Sequence, residues 1–263
     1  MNTESSEGAD EGSLDETDVH LSIVIPAFNE ERRLTGSLDA IREFLDTQPY
    51  RAEVLVVENA STDRTWEVAT AAAEVDSRIR VLREPVRGKG AAVRRGMLAA
   101  TGTFRFLCDA DLSMPIEEVR NFLPPLLEDF DVAIGSREAA GAVRYEEPGR
   151  RHLMGRVFNT LVRVALVPDI QDTQCGFKCF LDEAAEAIFS QVTRPGFGFD
   201  VEALVIANRF GFRVREIPVN WYFDADSRVR VIQDSIGTIV DVVVIGLKKL
   251  RGMYGPTAVA RRR

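Results

Sequence analysis

Cysteine and histidine are scarce in this chain, three of one and two of the other among 263. Three cysteines are an odd number, too small for a disulfide scaffold. Cys175 and Cys179 stand four apart with no further Cys or His nearby, so a zinc site would lack its other ligands. Cys108, Cys175 and Cys179 are therefore expected to be reduced and structural, as in a cytosolic protein. His20 and His152 read as structural residues, and without a G-x-S-x-G elbow a Ser-His-Asp hydrolase finds no support. No run of 18 uncharged apolar residues exists, so no membrane-spanning helix is predicted. The first 19 residues lack Lys and Arg and hold almost no large apolar side chain, so no signal peptide is expected. They carry Glu4, Glu7, Asp10, Glu11, Asp15, Glu16 and Asp18 and read as a disordered acidic tail over 1–19. The formal net charge is -8 and the pI near 5.0, which argues against a nucleic-acid partner.

With 45% hydrophobic and 28% charged residues, the rest suits one soluble α/β domain, placed at 20–235. Apolar strand-length runs at 21–26, 53–57, 79–82, 104–108, 132–135 and 214–219 alternate with helical patterns. Helices are predicted at 31–46, 63–75, 90–100, 116–127, 153–167, 182–189 and 200–209, with a long loop over 137–155. Strands alternating with helices imply right-handed crossovers and a Rossmann-like, mostly parallel sheet flanked by helices. The segment 236–263 reads as an amphipathic helix and a basic tail. Ile236, Ile239, Val240, Val243, Val244, Leu247 and Leu250 repeat at helical spacing, while Lys248, Lys249, Arg251 and Arg261 to Arg263 supply charge. Either that helix packs on the domain or it lies in a membrane interface with its basic end at the headgroups.

Polar residues gather where the strands end. The first strand runs into Pro26, Asn29 and Glu30, the second into Glu58, Asn59, Ser61 and Asp63, and the fourth into Asp109 and Asp111. Ligands of parallel sheets bind at those carboxyl ends, so three clusters define one site. Asp63 alone also suits a helix cap. Asp109-Ala110-Asp111 places two carboxylates to share one hard cation, Mg²⁺ or Mn²⁺, whose shell substrate phosphates complete. Arg87-Gly88-Lys89-Gly90 opens a helix, where small residues and a positive helix end suit an anion, although no Walker A pattern is present.

IPAFNE (25–30), VVENASTDRT (56–65), RGKGAAVRRGM (87–97), DADLS (109–113), QDTQCGFK (171–178) and GFGFDVE (196–202) stand in one order. That order resembles the inverting GT-A glycosyltransferases of family 2, and more narrowly the dolichyl-phosphate glucose and mannose synthases. The resemblance implies a GT-A fold and a nucleoside pocket lined by Pro26, Phe28 and Glu30, with Glu58 and Asn59 near the base. It places Lys89, Asp109 and Ala110 on the nucleotide sugar and Asp109 and Asp111 on the metal. Asp172 and Gln174 would face the sugar and reaction centre. Arg137, Arg150 and Arg151 would bind the phosphate of a polyprenyl or dolichyl acceptor, with Arg144 nearby; the plain alternative is a solvated loop whose arginines pair with Glu138, Glu146 and Glu147. Mannose synthases carry an arginine where Tyr222 stands, which favours the glucose branch and a UDP-glucose donor. GDP-mannose as donor, a saccharide hydroxyl as acceptor, and a nucleotide-sugar-binding protein without catalysis are the other readings. A sugar-nucleotide pyrophosphorylase would need a glycine-rich loop where Ala27-Phe28-Asn29-Glu30 stands. The expected location is cytoplasmic, or peripheral on the cytoplasmic face of a membrane.

Overall fold

The computed structural model describes residues 18–146, 159–160, 162–223 and 231–255. Five parallel strands carry the first half: β1 (Leu21–Ala27), β2 (Ala52–Glu58), β3 (Ile79–Arg83), β4 (Phe104–Cys108) and β5 (Val132–Ser136). Two short strands, β6 (Val143–Tyr145) and β9 (Asn220–Tyr222), pair in parallel as a separate ribbon. β7 (Phe177–Leu181) and β8 (Val214–Pro218) complete a seven-stranded sheet in the order β3-β2-β1-β4-β7-β5-β8. β7 runs antiparallel to both neighbours; every other pairing in that sheet is parallel.

The continuous apolar runs follow from burial on both faces, because alternate side chains point to opposite sides. Ile23, Ile25, Val54, Val56 and Phe106 meet α1 (Leu34–Asp46) and a 3-10 helix at Ile116–Phe122. Val24, Leu55, Val57, Leu107 and Ile134 meet α3 (Lys89–Ala99), α4 (Asp182–Phe189) and α5 (Phe199–Phe210). In α1 the buried Leu34, Leu38, Ile41 and Leu45 recur at helical spacing. α2 (Thr65–Val75) lies beside α1; its N-cap is Arg64 rather than the expected Asp63, which lies just before it and accepts the Thr65 N–H at 3.0 Å.

Four expectations need correction. The first helix starts at Leu34, not Glu31, because the Glu30 carbonyl takes the N–H groups of Arg33 and Leu34 in a tight turn. The helix expected over 116–127 is a seven-residue 3-10 helix ending at Phe122. Leu123 precedes Pro124 and takes extended backbone, φ -124° and ψ 154°, as the proline ring demands. β7 was unforeseen, since Lys178 interrupts its apolar run; the structure buries that lysine against Asp200 at 2.5 Å. The long loop contains β6, which forms only because β9 lies beside it. Of the helix expected at 153–167, residues 159–160 and 162–165 are described and helical.

The last helix, α6 (Val231–Leu250), begins before the predicted 236. Among its described side chains Thr238 and Ile245 are buried, so it packs on the domain, and Lys248 reaches inward to Glu202 at 3.2 Å. Lys249 likewise donates to the Leu166 carbonyl at 2.9 Å, so these two lysines do not form a free basic end. The predicted apolar stripe faces away: Ile239, Val240, Val243, Leu247 and Leu250 are exposed. No described helix is long and apolar enough to cross a membrane.

Candidate active site

The strand order reverses direction between β1 and β4, and the crevice beyond their carboxyl ends is the ligand site of open α/β sheets. All three expected clusters meet there. Each also holds a non-glycine residue in left-handed backbone: Asn29 at φ 55°, Ala60 at φ 52° and Leu112 at φ 47°. Asn tolerates that region, whereas Ala and Leu pay roughly 1–2 kcal/mol for it. Strain at three adjoining strand ends marks a surface shaped for a ligand.

Asn29 bridges the first two clusters, donating its N–H to Ser61 Oγ at 3.1 Å and accepting from Thr62 N–H at 2.8 Å. Glu30 is buried and gripped by Arg33 through Nε at 2.8 Å and a second nitrogen at 2.9 Å. Glu58 accepts the Ser61 N–H at 2.5 Å, which shapes the turn after β2. Asn59 spends its amide on the glycine loop: Nδ2 donates to the carbonyls of Glu84 and Val86, and Oδ1 accepts from Gly88 N–H at 2.7 Å. Both of its side-chain N–H donors are thus committed to holding the glycine loop. Pro26 lies in β1, and the Phe28 ring sits under Arg87, whose guanidinium is 4.7 Å from the ring centroid.

Lys89, the first residue of α3, reaches Asp109 at 2.6 Å. Burial disfavours its charge, but Asp109 and Asp200 outweigh that, so its pKa is raised. The loop before it presses on 194–196: a Cβ on Gly88 would lie 2.1 Å from the Pro195 carbonyl oxygen, so only glycine fits. Asp111 accepts from Ser113 N–H at 3.0 Å, and burial, then the Asp109 charge, raises its pKa. Ser37 donates to the Ala110 carbonyl at 2.6 Å and fixes the residue between the two acids. Among the described residues no cluster of three His, Cys, Asp or Glu forms. Two mutually repelling carboxylates nevertheless suit a hard cation that takes its other oxygens from a diphosphate.

Arg137 and Asp172, read separately in the sequence, form one unit 35 residues apart. Arg137 Nε donates to Oδ2 at 2.7 Å, a terminal nitrogen to Oδ1 at 2.9 Å, and the backbone N–H to Oδ2 at 3.0 Å. Burial alone would raise the Asp172 pKa; the Arg137 charge and hydrogen bonds overcome it and hold the carboxyl at about 2. Glu216 accepts the N–H groups of Gln171 and Asp172 and fixes the turn, and Gln174 donates its backbone N–H to Asp172 at 3.3 Å. Arg144 pairs with Glu138 at 2.6 Å, as the plain reading of the loop had it. Trp221 was missed. Its ring lies 5.6 Å from the Arg137 guanidinium and 5.9 Å from that of Arg144, and the only sequence signal was a large aromatic beside a strand end. Arg150, Arg151, His152, the tail at 1–17 and the arginines at 261–263 lie outside the described residues.

A mixed sheet with its acids at the switch point is the GT-A arrangement of a nucleotide-sugar enzyme. The glycosyl transferase family 2 model matches residues 22–189, and the chain belongs to that family and is a glycosyltransferase. It is 35% identical over 225 residues to Glycosyltransferase AglD of Haloferax volcanii, matching 83% of this chain but only 36% of that protein. It is 32% identical over 262 residues to the dolichyl-phosphate beta-glucosyltransferase of Saccharomyces cerevisiae, covering 91% of this chain and 78% of that one. Its fold is similar to glucosyl-3-phosphoglycerate synthase from Mycobacterium tuberculosis, solved with Mn²⁺, UDP and glucosyl-3-phosphoglycerate. That likeness has a TM-score of 0.62 at 22% identity, over 86% of this chain and 80% of the other.

Proposed function

We propose that this chain moves glucose from UDP-glucose to a polyprenyl or dolichyl phosphate with inversion of the anomeric centre. The observation that carries the acceptor is the Arg137–Asp172 unit. A carboxyl held at about 2 is a poor proton acceptor at neutral pH, so an acceptor that must lose a proton is badly served. A phosphate monoester is already largely ionised there, its second pKa being near 6. Similarity to dolichyl-phosphate beta-glucosyltransferases supports both glucose and the lipid.

Lys89 and the N-terminus of α3 would hold the donor diphosphate, with Phe28 and Arg87 beside the nucleoside. Asp109 and Asp111 would hold Mg²⁺ or Mn²⁺, which supplies positive charge to the departing diphosphate. Arg137 presents the acceptor: one phosphate oxygen attacks the anomeric carbon as the bond to the UDP oxygen breaks. Asp172 fixes the Arg137 fork, and its charge balances the guanidinium while no acceptor is bound.

The exposed stripe of α6 would lie in the interface of the membrane that holds the acceptor, making the enzyme peripheral on a cytoplasmic face. The test is a panel of radiolabelled donors given to the purified chain with Mn²⁺ and polyprenyl phosphate. Label from UDP-glucose should enter the lipid fraction. Label from GDP-mannose instead would overturn the sugar, and no label in the lipid fraction from any donor would overturn the polyprenyl-phosphate acceptor.

A further inference from the structure

Glu202 is fully buried in the first turn of α5, and its carboxylate is bonded from two directions. From the segment before its own helix it accepts the N–H groups of Thr193 at 2.7 Å and Arg194 at 2.8 Å, and the Thr193 hydroxyl at 2.8 Å. From the C-terminal part of the chain it accepts Lys248 Nζ at 3.2 Å and the Tyr254 hydroxyl at 2.9 Å. Lys248 also donates to the Thr193 hydroxyl. Burial alone would raise the Glu202 pKa, but the hydrogen bonds from Thr193, Arg194 and Tyr254 overcome it and lower the pKa, which keeps the group an anion.

The segment that Glu202 grips is the support of the glycine loop. The Pro195 carbonyl accepts the Ala91 N–H, in the first turn of α3, at 3.1 Å. A Cβ on Gly90 would lie 2.3 Å from the Arg194 carbonyl oxygen and 2.8 Å from that of Gly196, just as one on Gly88 would meet Pro195. Lys89 stands between these two glycines. α6 closes the other side of the segment: Arg194 pairs with Asp241 at 3.4 Å, and a Cβ on Gly198 would lie 2.4 Å from an Asp241 carboxylate oxygen. Contacts therefore run from α6 through residues 193–198 to the glycines on either side of Lys89.

We propose that Glu202, with Lys248 and Tyr254 bound to it, is a positioning residue for the donor diphosphate: it fixes residues 193–196, and these fix the loop that presents Lys89. This rests on the reading of Lys89 and the N-terminus of α3 as the diphosphate site. Gly88 and Gly90 leave their loop wide conformational freedom, so a geometry that binds phosphate has to be imposed by its neighbours. Three successive carbonyls at close range impose it, and an anion bonded to two adjacent N–H groups holds those carbonyls in place. The last helix thereby serves the donor site through two layers of protein.

The test uses the full chain, with calorimetric binding of UDP in Mn²⁺ and the KM for UDP-glucose and for polyprenyl phosphate as readouts. Glu202→Gln should weaken UDP and raise the donor KM about tenfold, a difference of about 1.4 kcal/mol, and leave the acceptor KM unchanged. Tyr254→Phe keeps the ring and loses one hydrogen bond, so it should weaken UDP about threefold. A fall in kcat with both KM values and UDP affinity unchanged would show only lost folded protein and overturns the positioning role. Donor and acceptor KM rising together overturns it in favour of a general loosening. Should Glu202→Gln fail to fold, unchanged UDP affinity in both Tyr254→Phe and Lys248→Met overturns it. A wild type that does not bind UDP, or a Lys89→Ala variant that binds it as the wild type does, overturns the diphosphate reading and the positioning with it.

Discussion

Gly176 shows how closely the site is fitted. A Cβ there would lie 1.9 Å from an Asp109 carboxylate oxygen, so Gly176→Ala must move the acid. Displacing a metal-binding group typically costs 10–100-fold in metal affinity. Mn²⁺ titration in the presence of UDP should show about that loss, with the thermal midpoint little changed; unaltered Mn²⁺ affinity would remove Asp109 from the metal site. Asp172 makes a second, pH-based prediction. Its carboxyl is depressed from 3.8 to about 2, so the pair's contribution is complete above about pH 4 and is lost as pH falls through 2. The stability gap between wild type and Asp172→Asn in urea should stay flat from pH 7 to pH 5 and shrink below 4. Wild-type turnover should likewise show no limb between pH 5 and 8 that Asp172→Asn removes. Such a limb would restore a general base and point to a hydroxyl acceptor. Asp109 and Asp111 were legible because a local spacing carries them. The Arg137–Asp172 pair was not, because no local rule links residues 35 apart, and the role of Asn59 depends on a loop that only the fold brings to it.

β7 and α6 mark what periodicity could and could not reveal. Five of the six predicted strand runs of the main sheet were apolar throughout or nearly so, and β1 to β5 fell where those runs stood. β7 escaped because its central Lys178 is a charge in a core strand, tolerated only with Asp200 beside it. Both side chains are almost wholly buried, and orphaning one of such a pair costs about 3–5 kcal/mol. Lys178→Met should therefore lose about that much in denaturant unfolding, and Lys178→Met with Asp200→Leu should recover part of it. A single variant as stable as wild type would show that the pair is dispensable. In α6 the hydrophobic stripe was legible, but not which way it faced, because among the described side chains the buried ones are Thr238 and Ile245, while Lys248 and Lys249 bond to Glu202 and the Leu166 carbonyl. Val243→Glu with Leu247→Glu should leave the fold intact and reduce sedimentation with anionic vesicles about tenfold or more. Equal sedimentation would assign that face to another contact.

At the scale of the molecule, a parallel first half that the proposed reading assigns to the nucleotide meets a later half that it assigns to the acceptor, where β7 inserts between β4 and β5. The parallel strands were legible in the alternating apolar runs, whereas the antiparallel insertion and the β6–β9 ribbon were not, since each depends on partners distant in sequence. The most direct measurement is phosphorus NMR of the reaction of UDP-glucose with polyprenyl phosphate and Mn²⁺, combined with the coupling constant of the sugar's anomeric proton. The acceptor's phosphomonoester signal should give way to a phosphodiester, and the glucose should arrive in the β configuration. A phosphomonoester that persists while UDP is released, or an α-linked product, would contradict single-displacement transfer to a lipid phosphate.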